Sequence, residues 1–417
     1  MRARSAAVRS NDDHIRDTIV AERDCAGDAP PSPQAATALD YDIVTTRSGF
    51  DNLASDWNAL FVRAGNGAQA FQTFNWLWHW CNHYLDEASD RETLAIVTGR
   101  RSGRLVLVWP LVVERGTGVV KLTSMGAPVS QYSDALIEPS IEAPQQLRDA
   151  WDKVVSAFKP DLVWLPRVRD DAAIAPLMKD IGALATQRME APYIDLRDTP
   201  DLDTYMGRRS PQARKKHRAA ERRMAKLGIT TVEPMHGDGG SALAATTIAM
   251  KRRQLAERGL FSEAFADMRL RDFFSDAARG GDRAAGAQAI ALQHDGEVTA
   301  ANIVIGCRER VLGHVFTYDA RFAKESIGAF LLHHTIGQAI AEGYKTFDLL
   351  SPADPYKLRC ADGTVGVTNW AVPLTAKGTF FTRIYLMMAR PILKTIIERA
   401  PMRMRAFLAQ RYYRGIS

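Results

Sequence analysis

Cysteine is scarce in this chain and scattered where it occurs. Cys25, Cys81, Cys307 and Cys360 are the only four in 417 residues, and no two have the spacing of a metal clasp or of a small disulfide framework. A reducing compartment is the expectation that follows. Long apolar runs are missing too: no stretch reaches the roughly 18 residues that a membrane-spanning helix needs. The early arginines are followed by no apolar core. Residues 10–17 are polar and residues 25–37 are rich in Ala, Pro and Asp, so residues 1–40 read as a disordered leader, neither signal peptide nor anchor.

What remains is globular in character, with 46% hydrophobic and 24% charged residues. The length exceeds one ordinary core, so two domains are expected. The net charge of +6 is unevenly spread. Residues 207–226 hold nine Lys or Arg against Glu221 alone, and residues 383–417 hold eight against Glu398 alone. Two basic surfaces on an otherwise balanced chain suit a polyanion, a phosphorylated ligand or an anionic membrane face.

Periodicity predicts helices over 50–61 and 74–85, then strands over 93–98, 105–113 and 119–124 separated by Gly-containing turns. A helix over 146–158, a strand over 161–165, a helix over 173–181 and a strand over 193–196 complete the first half. The second half repeats this plan. Helices over 210–226, 241–257 and 264–278 lead into strands over 288–293, 298–306 and 311–318, then a helix from Ile327 to about Glu342 and a strand over 346–350. Two copies of one helix, meander, helix and strand unit predict a tandem α/β protein. The boundary falls near 198–203, giving units over 41–199 and 200–379 and a basic tail over 380–417.

The most informative stretch is 311–360. A strand is followed by a charged loop, and the small-residue opening Ile327-Gly328-Ala329 then starts a helix. Such a turn aims free N–H groups and the positive helix end at a docking anion, so a phosphate-bearing ligand is expected.

Residues 214–228 (RKKHRAAERRMAKLG), 318–328 (YDARFAKESIG) and 347–358 (FDLLSPADPYKL) resemble three stretches of the CelD/BcsL-type acetyltransferases. These belong to the GNAT superfamily and are associated with bacterial cellulose biosynthesis. Residues 71–80 (FQTFNWLWHW) are similar to that family's amino-terminal half, so the resemblance spans about 40–385. Its repeated units are similar to those of Fem-type aminoacyl transferases.

The resemblance implies two tandem GNAT-like units, each a mixed, mostly antiparallel sheet flanked by helices. The carboxyl unit would bind acetyl-CoA or another acyl-CoA between strands 311–318 and 346–350, without a metal. It implies a phosphate cradle at Lys324, Ser326, Ile327, Gly328 and Ala329. Backbone amides around Phe316 or Thr317, next to Tyr318, would polarise the thioester carbonyl. Tyr356 would act as the acid, Asp348 or Asp319 would help remove the acceptor's proton, and Lys357 would pair with phosphate or acceptor. The departure from the family is a cradle with little glycine, KESIGA.

Plainer readings stand beside these. Tyr356 would only pack its ring, Asp348 would pin a strand end, Gly328 would serve close helix packing, and Lys357 would be a solvated charge. His79 and His83, four apart among tryptophans, read as packing rather than a metal pair. The basic helix lacks interleaved aromatics, which argues against nucleic acid. The tail is apolar but broken by Arg383, Arg390, Pro391 and Lys394. It suits either an amphipathic segment on the inner leaflet or a helix docked on the protein's own core. The expected function is a cytoplasmic acyl-CoA-dependent N- or O-acyltransferase with an amine or hydroxyl acceptor, linked through the resemblance to cellulose or exopolysaccharide. A Fem-like aminoacyl-tRNA-dependent transferase and a non-catalytic accessory protein of polysaccharide export are the alternatives. The amino unit, with 125–134 as its nearest counterpart to the cradle loop, is expected to be degenerate and to line an acceptor cleft.

Overall fold

The computed structural model of the protein describes residues 38–414 apart from Asp90 and Thr117, so residues 1–37 of the expected leader lie outside the described residues. The amino half runs β1 (Asp40–Val44), α1 (Arg47–Asn52), α2 (Ala54–Ala64), α3 (Phe74–Tyr84), β2 (Glu92–Leu94), β3 (Ile96–Arg101), β4 (Arg104–Trp109), β5 (Leu111–Gly116) and β6 (Val119–Ser124). It continues with β7 (Leu136–Ile137), α4 (Ala143–Phe158), β8 (Leu162–Arg169), α5 (Ala175–Asp180) and β9 (Leu184–Asp195). The carboxyl half has α6 (Leu202–Gly207), α7 (Pro211–Lys226), β10 (Thr230–Met235), α8 (Gly237–Glu257), α9 (Glu263–Ala266), α10 (Arg269–Ala277), β11 (Ala287–His294), β12 (Glu297–Cys307) and β13 (Arg310–Tyr318). Then follow α11 (Ile327–Ala341), β14 (Thr346–Asp348), α12 (Pro355–Leu358) and β15 (Gly363–Pro373). The tail is α13 (Ala376–Phe380), a π-helical stretch Phe381–Ala389, α14 (Arg390–Arg399) and α15 (Met402–Arg414).

Two departures from the sequence reading have plain causes. The expected strand 105–113 is two strands in two sheets, because Pro110 has no N–H to give a ladder and the chain turns there. The expected helix 50–61 breaks at Leu53, which caps α1 with its own backbone N–H and starts α2. The helices around the site follow local rules. Ser210 accepts the Ala213 N–H at 3.2 Å and Pro211 opens α7. Gly343, at φ 81°, follows the end of α11.

A four-stranded sheet, β1-β3-β4-β7, stands beside an eleven-stranded mixed sheet ordered β10-β11-β12-β13-β14-β9-β15-β8-β6-β5-β2. The large sheet holds two α/β units that share strands. β9 leaves the amino half to pair antiparallel with β14, and β15 returns from the carboxyl half to pair with both β9 and β8. The sequence boundary near 200 is therefore not a break in the sheet. Helices close the interior across the same join: Trp76 on α3 meets Phe273 on α10 edge-on, with ring centroids 4.9 Å apart and both rings fully buried. Burying such a ring stabilises by about 1.5–3 kcal/mol.

Candidate functional site

β13 and β14 are paired in parallel over only three positions, Arg310↔Thr346, Val311↔Phe347 and Leu312↔Asp348. β14 ends there, while β13 runs on to Tyr318 held along its other edge by β12. The two strands thus part after Leu312. An extra residue, His314, bulges between Val304↔Gly313 and Ile303↔Val315 at the start of the parting.

Alternation along β13 decides which peptide groups face the gap. The Asp319 N–H donates to Thr299 O at 2.8 Å, so residues 317 and 319 turn toward β12, and 316 and 318 turn away from it. Helix α8 confirms the direction. Lys251 Nζ donates to Phe316 O at 2.9 Å and Gln254 Nε2 to Tyr318 O at 3.3 Å. The amides of Phe316 and Tyr318 share that direction, whereas the Thr317 amide belongs to the β12 ladder. This narrows the expected Phe316 or Thr317 pair to Phe316.

At the wide end of the gap, Ser326 adopts a left-handed conformation (φ 63°) and precedes α11 without capping it through its side chain. Ala329 and Phe330 N–H both donate to Ser326 O at 3.1 Å, and the amides of Ile327 and Gly328, as the first two helical residues, have no partner inside the helix. A Cβ on Gly328 would lie 3.0 Å from the Tyr318 ring, so glycine lets that ring rest against the helix start. The packing reading of Gly328 therefore holds. Lys324 is exposed on the loop, and its carbonyl accepts from Arg223 of α7 at 3.4 Å. His217 and His333 join α7 to α11 with their Nδ1 atoms 3.0 Å apart, so the basic helix lies along the cradle. Burial and the neighbouring His217 lower the pKa of His333 to about 4.

The three acid-base candidates have different surroundings. Asp348 is fully buried: Oδ1 accepts from the Tyr132 hydroxyl and the Leu350 N–H at 2.9 Å each, and Oδ2 from Arg169 at 2.9 Å and Arg310 at 3.0 Å. A carboxylate occupied by two guanidiniums has no capacity left to receive an acceptor's proton, so Asp348 pins the apex of the gap. Asp319 caps the 3₁₀ turn through the Arg321 N–H at 2.8 Å and pairs with the Arg321 side chain, which holds its carboxyl below the usual range. Arg321 thus engages both of its oxygens, Oδ1 through the backbone and Oδ2 through the guanidinium. Tyr356 lies just past β14 and is 42% exposed; burial of part of the residue, with Asp354 nearby, pushes its phenol up to about 12.

Lys357 corrects another expectation. It is buried, and Nζ donates to Leu350 O and Pro352 O at 3.0 Å each, clasping the turn after β14 instead of reaching a phosphate. Desolvation lowers its pKa. A cation that does reach this edge of β13 is Lys251, which the sequence reading missed. Its burial, helped by the charges of Arg258 and Lys357, lowers its pKa to about 8.

The amino unit has a similar parting. β6 pairs with β8 through Thr123↔Trp164 and ends at Ser124, while β8 continues to Arg169. Here the chain fills its own gap: Ser133 N–H donates to Arg167 O at 3.2 Å, Ser133 Oγ to Pro166 O at 2.5 Å, and Arg167 to Ser130 O at 2.9 Å. The same loop reaches the carboxyl unit's apex, where the Val129 carbonyl meets His314 Nε2 at 2.7 Å. Residues 125–134 thus plug one gap and brace the other. Among the described residues no three His, Cys, Asp or Glu are grouped to hold a metal. His79 Nε2 lies 2.9 Å from Arg283 O and His83 Nε2 2.8 Å from Asp276.

Comparison with known proteins agrees with this architecture. Residues 211–358 match the family described as acetyltransferase (GNAT) domain, a stretch that includes the parting strands and the start of α11. No curated protein matches. Among solved structures, the crystal structure of FemX is similar at 11% identity and TM-score 0.55, covering 79% of this chain and 98% of that one. L-PGS from Bacillus licheniformis has 13% identity, TM-score 0.47 and coverage of 81% and 97%. A tandem GNAT protein from the clavulanic acid biosynthesis pathway has 12% identity, TM-score 0.46 and coverage of 81% and 99%.

Proposed function

We propose that the chain is a cytoplasmic acyl-CoA-dependent N- or O-acyltransferase whose carboxyl unit binds the carrier, acetyl-CoA being the first donor to try. The observation that carries this reading is the parting of β13 and β14, with the Phe316 and Tyr318 amides facing the gap and the free α11 amides at its mouth. A pantetheine arm is an extended amide chain that can pair with such an edge, and its diphosphate suits the helix start.

In the transfer, a bond forms between the acceptor's nitrogen or oxygen and the acyl carbon, the C–S bond breaks, and the acceptor's proton ends on the sulfur. The Phe316 amide would stabilise the developing oxyanion. Tyr356 would supply a proton to the thiolate. Lys251, whose proton is labile near neutral pH, would take the base role expected of Asp348 or Asp319. The resemblance to cellulose-associated acetyltransferases makes polysaccharide hydroxyls and amino sugars the first acceptors to screen.

Titration calorimetry with acetyl-CoA tests the carrier. The Ser326→Asp variant tolerates the left-handed backbone and puts a carboxylate over the α11 amides. Its affinity is expected to fall about tenfold or more while thermal stability is kept. Absence of binding by the unmodified chain would reject acyl-CoA as donor. One observation favours a second reading, an aminoacyl-tRNA-dependent transferase: the basic helix α7 reaches the cradle through Arg223. Transfer that requires charged tRNA and ignores acetyl-CoA would select it.

A further inference from the structure

The tail resolves the two readings of its sequence differently along its length. Its ends dock on the protein. Leu386 packs with Leu162 and Ala371, and Arg390 lies 6.0 Å from the Trp164 ring. At the far end Ala409 and Tyr413 pack with Ala266, the Tyr413 hydroxyl donates to Leu260 O at 3.1 Å, and Arg252 of α8 donates to Tyr413 O at 3.1 Å. Between these anchors, none of the described side chains of α14 is buried. Ile392, Leu393, Ile396 and Ile397 are all exposed, the last at 42% and Ile396 at 61%. Residues three and four apart on a helix share a face, so the pairs 392/396, 393/396 and 393/397 join these four into one apolar stripe. Phe407 and Leu408 of α15 and Met388 of the π-helical stretch are also about half exposed.

We propose that this strap is a docking surface for an anionic lipid bilayer, with α14 lying in the plane of the interface. Charge complementarity selects the occupant. Arg383, Arg390, Arg399, Arg403 and Arg411 are exposed around the apolar stripe, and Glu398 is the one acidic residue in 380–417. Branched and thioether side chains enter the acyl boundary while guanidiniums meet lipid phosphates. No described helix is long and apolar enough to cross a membrane, so the contact is in-plane. The strap is anchored to α8, next to Lys251, so docking would hold the gap of the carboxyl unit near the bilayer.

The test is vesicle sedimentation of the full chain. Phosphatidylcholine vesicles containing phosphatidylglycerol are compared with phosphatidylcholine alone, at low and high salt. The chain is expected to pellet with the anionic vesicles and to be released by salt. The triple variant Arg383→Gln, Arg399→Gln, Arg403→Gln is expected to bind on the order of a hundredfold more weakly. The exposed pair Ile392→Glu, Ile396→Glu is expected to abolish pelleting without lowering the melting temperature. Retained binding by the glutamate pair, or equal binding to neutral vesicles, overturns the proposal. So does a lipid-indifferent dimer that the glutamate pair converts to monomer, which would make a second copy the occupant.

Discussion

The Tyr132 hydroxyl donates to Asp348 Oδ1 at 2.9 Å, joining residues 216 positions apart and tying the plug of the amino unit to the apex of the carboxyl unit. Arg169 and Arg310 converge on the other oxygen of the same carboxylate. Removing the charge takes Arg310's carboxylate away and leaves Arg169, which is 3% exposed, with Asp171 as its remaining anionic partner. Asp348→Asn is therefore expected to destabilise by roughly 3–5 kcal/mol, and Tyr132→Phe by about 1 kcal/mol. Urea unfolding measures both. A change below about 1 kcal/mol for Asp348→Asn would mean that the cluster does not brace the apex.

Tyr356 is well exposed and sits on the short α12, so Tyr356→Phe removes a hydroxyl with little effect on folding. If the phenol protonates the leaving thiolate, turnover should fall about 10²–10⁴-fold with acetyl-CoA binding unchanged. Full turnover in the variant would end the acid assignment.

Lys251 predicts a pH profile. A base must be free of its proton, and burial sets this one to about 8. The rate should climb as pH rises toward that value and level off above it. Lys251→Met should lower the rate and flatten this limb. A wild-type profile flat from about pH 6 to 9 would contradict the role.

His314 and His333 are both lowered by burial to about 4, from an ordinary value near 6.5. As pH falls through that window the unfolded chain takes up protons that the folded one refuses, so stability is lost on acidification. Each histidine is expected to contribute roughly 1–3 kcal/mol of this loss. Between neutral and mildly acidic buffer the melting temperature of His333→Asn should fall less than that of the parent. Parallel loss would show that His333 does not exclude a proton in the folded chain.

The stretch that mattered most was legible. The strand of Val311–Tyr318, the helix opened at Ile327 and the strand from Thr346 announce themselves through periodicity and a small-residue turn, and they stand within a residue or two of expectation. β15 was not legible: Gly363, Gly366, Thr364 and Thr368 give it little apolar alternation, and its place depends on partners nearly two hundred residues away. Arg188 and Glu190 similarly hid all but the end of β9. The sequence also offers no local sign that Lys251, followed by Arg252 and Arg253, alone among these turns to Phe316. Pro110 is the local sign of the split between β4 and β5.

The reciprocal loan of β9 and β15 limits how such a chain can be altered. A fragment ending near residue 200 would carry β9 without β14 or β15, and the complementary fragment would carry β15 without β8 or β9. Each would expose unpaired strand edges that invite aggregation. Neither half can be exchanged for a relative's as a cassette, and a frameshift or proteolytic nick in one impairs both.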